Sequence, residues 1–145
     1  MMKFRIPRLP LILLAVPAGV GLFTFWYAKG YSYLSNRPEV CVNCHVMQGQ
    51  YKAWERSVHR DVSCNQCHLP QDGAVKYLAK MENGFRHSWV FTFETVQQIR
   101  IRPKNRDFLE ANCRSCHDQM LTAMLPASRK AASCTHCHRR IGHRF

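Results

Sequence analysis

The apolar positions fall into unlike patterns along the chain. Residues 9–28 carry no charge, and as a helix they span roughly 30 Å, the thickness of a bilayer's hydrocarbon core. Between residues 47 and 60, Tyr51, Trp54 and Val58 recur at spacings of three and four, which predicts a short helix. Asp72, after Pro70, is the N-cap of a longer one. Its Ala74, Leu78, Met81, Phe85 and Trp89 share one face, and Lys76, Lys80, Asn83 and His87 share another. Gly84 weakens this helix without ending it. The stretch 101–106 (Ile-Arg-Pro-Lys-Asn-Arg) predicts a loop with solvated charges, and 121–130 a further short helix. Period-two alternation is poor throughout. The expected class is mainly α, with little or no strand.

The uncharged run follows Lys3, Arg5 and Arg8 and is closed by Lys29. It is longer than the apolar core of a usual signal peptide, and bulky Trp26 and Tyr27 adjoin the only small residue where cleavage would fit. It therefore reads as a retained anchor in the bacterial inner membrane. Residues 1–8 lie in the cytoplasm and 29–145 on the periplasmic side, by the positive-inside rule. Trp26, Tyr27, Tyr31 and Tyr33 form an aromatic belt at the outer interface. Even a fully extended linker from Ala28 to Cys41 reaches at most about 45 Å.

Composition sharpens the picture through cysteine. The chain of 145 residues has 8 Cys and 8 His. Every cysteine lies in a Cys-x-x-Cys-His motif: Cys41, Cys44 and His45; Cys64, Cys67 and His68; Cys113, Cys116 and His117; Cys134, Cys137 and His138. This is the attachment site of c-type haem, in which two thiols form thioethers and the adjacent imidazole approaches the iron. Zinc ribbons have no need of a histidine after every pair, and thioredoxin-like pairs need a βαβ context that is absent here. Four covalently bound haems are expected. Too few residues lie outside the apolar run to build a conventional core and also wrap four macrocycles, so the haems themselves form the interior. Their propionates offset part of the formal charge of +12, and nucleic-acid binding is set aside. Motif spacing divides the outer domain into two di-haem modules, about 41–68 and 113–143.

Four haems offer eight axial positions, of which the motif histidines can fill four. Beyond them only His59, His87, His136 and His143 remain. His136 is an incidental residue inside its own motif loop. His59 and His143 are the expected distal ligands, because low-spin haems need them and candidates are few. His87 is a possible ligand, a quinol-site group or a packed helix residue. Next to the first motif stands Met47, two residues after His45. The thioethers fix one haem face, so the two cannot serve opposite sides of one iron. Either His45 binds or Met47 replaces it, with His45 the default.

The order of these features resembles the membrane-anchored tetrahaem quinol dehydrogenases: an N-terminal anchor, Cys-Val-Asn-Cys-His-Val-Met, Ser57-Val58-His59-Arg60, Cys-Asn-Gln-Cys-His-Leu-Pro, Lys76-Tyr77, then two more motifs. Within that family it is most similar to the small subunits of cytochrome c nitrite reductase. The resemblance covers nearly the whole chain. It implies that Met47, not His45, binds the first haem, and that menaquinol is oxidised on that haem's open face beside the membrane. It implies that Lys76 is the quinol-site lysine and that His59 and His143 are distal ligands. It further implies a larger multihaem reductase as partner, one of whose lysines ligates the second haem. Where the family pattern has a carboxylate, this chain has Asn83. Neighbouring Glu82 is a weaker candidate for the proton acceptor.

Two functions fit these features: an electron-transfer subunit that oxidises menaquinol for a periplasmic reductase, or a self-sufficient multihaem reductase of nitrite or a similar oxyanion. The first is favoured, because no Cys-x-x-Cys-Lys motif marks a catalytic haem and little chain remains to build a substrate cavity. A redox sensor has no support from an attached signalling domain.

Overall fold

The computed structural model describes residues 8–95, 99–124 and 132–143, and these form helices and turns with no strand among them. The chain divides into two compact units, one ending at Ser35 and one beginning at Asn36.

The first unit is helix α1 (Arg8–Tyr27), which is apolar and exposed along its length and long enough to cross a membrane. Pro17 is accommodated inside it. Thr24 donates its hydroxyl to the Val20 carbonyl at 2.8 Å, so the side chain needs no outside partner. Lys29 ends the helix with φ 52° and ψ 38°, a left-handed conformation. Gly30 follows for a steric reason: a Cβ there would meet the Phe25 ring at 2.4 Å. The chain then tightens into a 3-10 turn (Gly30–Leu34), and Tyr31 packs on Trp26 with ring centres 5.4 Å apart.

The second unit opens with 3-10 turns that carry the first motif and Met47. Helix α2 (Gln48–Glu55) follows and is shorter than the 47–60 pattern predicts. The reason is local. The Trp54 indole N–H donates to the carbonyls of His59 (3.0 Å) and Val62 (2.9 Å), folding the chain back in turns after Glu55. Helix α3 (Cys64–His68) contains the second motif and is closed at its start by a reciprocal capping box of Ser63 and Gln66.

Helix α4 (Gly73–Phe93) has Asp72 as N-cap, accepting from the Ala74 N–H at 3.2 Å, and it continues through Gly84. Helix α5 (Pro103–Met124) corrects the expectation of a loop at 101–106. Proline at the first helical position needs no N–H there, and Lys104, Asn105 and Arg106 are already helical. The third motif lies mid-helix in α5, which also absorbs the start of the short helix expected at 121–130; residues 125–130 lie outside the described part. Helix α6 (Cys134–Cys137) is the fourth motif itself.

What this unit lacks is a protein core. Among the described residues only Leu69 (5% exposed) and Ala79 (6%) are buried hydrophobics, and no large side chain is fully enclosed. A folded chain of this size ordinarily buries a contiguous apolar cluster. Helices as short as α2, α3 and α6 are held by packing rather than propensity, so the packing partner is something other than the chain.

Candidate functional site

The eight cysteines are unpaired with one another as disulfides. Their helices bring the motifs into succession. The Cys41 and Cys64 thiols hydrogen-bond, joining the first motif to the second, and this contact with the nearby Lys80 charge draws Cys41 down to about 7 against the effect of burial. Helix α3 packs on α5, joining second to third. Burial pushes the Cys113 thiol up to about 11, with Cys134, Glu110 and Cys67 adding to the shift, which places the third motif between second and fourth.

By motif all eight cysteines are alike, and in the structure they are not. Cys44 is half-buried, as are Cys41, Cys64, Cys67, Cys113 and Cys134, whereas Cys116 and Cys137 are exposed. Cys44 differs in its backbone. It sits at the break between two 3-10 turns with φ −96° and ψ 118°, and its carbonyl accepts from the Met47 N–H at 2.9 Å. A kink therefore aims the Cys44 side chain, where the second cysteine of each other motif lies on an α-helix. Cys116 lies almost one turn beyond Cys113 on α5, and the chain leaves it uncovered. Its thiol is nonetheless close enough to Cys67 to reinforce the upward shift that burial gives that residue. The repeated spacing thus marks four attachment sites without giving them one common local geometry or enclosure.

Two acceptor–donor clamps hold the succession of motifs, and both project from α5 just before Cys113. Asn112 Nδ2 donates to the carbonyls of Cys67 (3.0 Å) and Leu69 (2.7 Å), satisfying the C-terminal end of α3. The Glu110 carboxylate accepts from the backbone N–H groups of Cys134 (2.7 Å) and Thr135 (2.9 Å) and from the hydroxyls of Ser133 (2.7 Å) and Thr135 (2.6 Å). It thus caps α6 from another helix. Although desolvation opposes it, this set of hydrogen bonds brings Glu110 down to about 2. Neither residue is marked in the sequence by more than its position ahead of a motif.

The histidines form two facing pairs. His143 lies 5.8 Å from His68 between ring centres, with planes 22° apart, and His59 lies 6.1 Å from His117, with planes 69° apart. Metal–imidazole bonds of about 2 Å on either side of one ion, plus about 1 Å from each nitrogen to its ring centre, give a separation of about 6 Å. The pairs therefore fit an iron held between two axial imidazoles. Desolvation, reinforced by His143, drops His68 to about 4, so its imidazole is neutral at ordinary pH, the form that binds metal. His59 Nδ1 is buried and has no hydrogen-bond partner, an orphan of the kind a missing group explains. Among the described residues no three His, Cys, Asp or Glu converge on one point, as a zinc ribbon would require. Two axial ligands, two thiols and an unfilled interior are what a porphyrin with its own equatorial nitrogens needs.

Among the described residues the remaining candidates form no such pairs, although exposure alone does not separate them, since His117 is itself exposed. His45 is exposed and Met47 half-buried, on one 3-10 turn. His138 is exposed, and no ring among the described residues contacts it; His87 is exposed on α4, and His136 on α6. On the polar face of α4, Lys76 is half-buried and Asn83 accepts from Asn105 Nδ2 at 3.1 Å. Lys80 Nζ, which sequence reasoning left out of the site, donates to Asn36 Oδ1 at 3.2 Å and is lowered by desolvation and by Lys76. Glu82 is bound by Lys104 and by Arg102 at 2.9 Å, and their hydrogen bonds hold its carboxyl below the usual range. These partners, read from sequence as solvated loop charges, make Glu82 a poorer base.

The sequence pattern of the NapC/NirT cytochrome c family, N-terminal region, matches residues 6–145. The chain is 33% identical to the cytochrome c-type protein NrfH of Wolinella succinogenes, over 92% of this chain and 83% of that protein. It is also 33% identical to the cytochrome c nitrite reductase subunit NrfH of Nitratidesulfovibrio vulgaris, over 94% and 84% respectively. Among solved structures, the crystal structure of the cytochrome c nitrite reductase NrfHA complex bound to the HQNO inhibitor matches with a TM-score of 0.65 at 30% identity, covering 89% of this chain and 87% of that one.

Proposed function

This chain belongs to the NapC/NirT cytochrome c family, and from that premise we propose that it is a membrane-anchored tetrahaem subunit that oxidises menaquinol and supplies electrons to a periplasmic multihaem nitrite reductase. The observation that carries the reading is the assembly of four Cys-x-x-Cys-His motifs into one helical unit with two facing imidazole pairs and almost no apolar core.

The haem, when bound, supplies one-electron redox chemistry between a two-electron quinol and a protein acceptor. The chain does the rest. The motif cysteines fix four macrocycles covalently, kinked Cys44 and exposed Cys116 among them. His68 with His143, and His117 with His59, would hold two of them. Met47 is the ligand for the first, with His45 turned to solvent, and His138 holds the fourth. Because His68 already faces His143, the partner lysine expected at the second haem has room at the His138 haem instead.

Lys76 and Asn83 bound the quinol site: the Lys76 ammonium donates to a quinol oxygen, and the Asn83 amide orients the ring by a further hydrogen bond. Glu82 remains the weaker candidate for the proton acceptor, because its hydrogen bonds to Lys104 and Arg102 lower its basicity. Residues 9–27 cross the inner membrane, and the haem domain lies on the periplasmic side.

The test is purification in mild detergent followed by haem-stained gels and intact mass. A polypeptide carrying four haem masses and co-purifying with a larger multihaem protein supports the reading. Fewer haems, or a tetrahaem protein that always purifies alone and reduces nitrite itself, overturns it.

A further inference from the structure

We infer that the C-terminal end of α4 is a second membrane contact, a helix tip that inserts into the acyl–headgroup boundary of the bilayer. The inference rests on the membrane anchor proposed above. Helix α4 is amphipathic, but its faces are turned the opposite way from those of a helix on a soluble domain. Its polar stripe is engaged within the domain: Lys80 with Asn36, Glu82 with Arg102 and Lys104, and Asn83 with Asn105. Its apolar stripe, Leu78, Met81, Phe85 and Trp89, is the exposed one.

Beyond His87 the asymmetry weakens, because rings stand on opposite sides of the helix up to its C-cap, Glu94. From Ser88 to Phe93 there is no charged residue. Trp89 is 51% exposed, Phe91 77% and Phe93 69%; at 100° per residue Trp89 and Phe93 share one face and Phe91 points to the opposite one. The Trp89 ring packs on Phe93 at 4.7 Å and on Phe85 at 6.2 Å, forming an aromatic cluster that the rest of the described chain leaves uncovered.

The polar groups of this segment are satisfied internally. Ser88 Oγ donates to the Gly84 carbonyl at 3.0 Å, and Thr92 Oγ1 donates to the Ser88 carbonyl at 2.7 Å. Thr24 in the membrane-spanning candidate α1 uses the same i−4 bond. A hydroxyl in water has no need of that arrangement, whereas one in an apolar medium does. A docked protein covers one side of a helix; rings on two opposite sides call for a medium that envelops it. Trp and Phe at the tip, with Arg86 within one turn of Trp89 and Lys80 between two and three turns back, is the residue distribution of an interfacial helix. Lipid is therefore the occupant, ahead of a partner subunit or a second copy.

The experiment uses the full haem-loaded chain in phosphatidylethanolamine–phosphatidylglycerol vesicles doped with a phospholipid that carries an acyl-chain diazirine. After photolysis and digestion, lipid adducts are expected on Trp89, Phe91 or Phe93 as well as within residues 9–27, and not on α5. The triple variant Trp89→Ser, Phe91→Ser, Phe93→Ser should keep its four haems and lose the α4 adducts alone. Adducts confined to residues 9–27 overturn the inference and leave the anchor standing. Absence of adducts from 9–27 itself refutes the anchor.

Discussion

His143 and Gln50 are joined across almost the whole domain: the imidazole Nδ1 lies 3.1 Å from the Gln50 carbonyl oxygen, while the ring faces His68. A carbonyl only accepts, so Nδ1 carries the proton and Nε2 is the nitrogen left for a metal. On the proposed reading, His143→Ala should convert one low-spin haem to high spin and leave the other signals in place. Magnetic circular dichroism and electron paramagnetic resonance count the low-spin centres. An unchanged count would remove His143 from the ligand set.

Trp54 secures the other distal candidate, because its indole N–H donates to the His59 carbonyl and the Val62 carbonyl at once. Trp54→Phe keeps the ring and removes the donor, leaving two carbonyls short of a partner at a cost of about 1 kcal/mol. The variant should unfold at lower denaturant concentration and show weakened low-spin character at one haem. A variant with wild-type stability and spectra would show that the turn holds His59 without the indole.

These staples mark the limit of what the sequence discloses. The haem motifs, the membrane-length run, Asp72 as a cap and the two faces of α4 were legible because each is a local pattern. The end of α2 was not, because it depends on an indole reaching carbonyls beyond the helix. Helix α5 was missed because Pro103 and its basic neighbours read as a loop, yet they begin a helix whose Lys104 and Asn105 meet Glu82 and Asn83 on α4. Nor does a motif tell that Cys44 falls at a kink and Cys116 on an open part of α5, since both depend on the elements that carry them. The pairing of His59 with His117 and of His143 with His68 is a matter of tertiary placement; ligand economy could nominate the histidines but not match them.

Glu110 provides a pH-dependent prediction. Its pKa is depressed from 4.5 to about 2, so the clamp on α6 contributes fully above pH 4.5 and is lost as pH falls through about 2. Glu110→Ala should cost about 2 kcal/mol near neutral pH, through the lost cap and charged hydrogen bonds. It should also lower occupancy of the fourth haem, read by intact mass. Stability curves of wild type and Glu110→Gln should converge between pH 4.5 and 2. Parallel curves through that window would mean that the carboxylate is not the titrating group.

At the proposed quinol site, Lys76→Leu should retain four haems but lose at least about tenfold in the rate of reduction by a menaquinol analogue, the effect of about 1.4 kcal/mol in the barrier. Glu82→Gln should leave that rate near wild type, because the carboxylate is already committed to Arg102 and Lys104. Stopped-flow absorbance at the haem α-band reads both. The reverse ranking would move the proton acceptor back to Glu82.

The central claim is that this chain takes electrons from quinol and delivers them to another protein. Anaerobic stopped-flow on the vesicle-reconstituted wild type tests it most directly. A menaquinol analogue should reduce the haems, nitrite alone should leave them reduced, and nitrite together with a multihaem nitrite reductase should reoxidise them. Failure of the quinol to reduce the haems, or reoxidation by nitrite without the partner, would contradict the account.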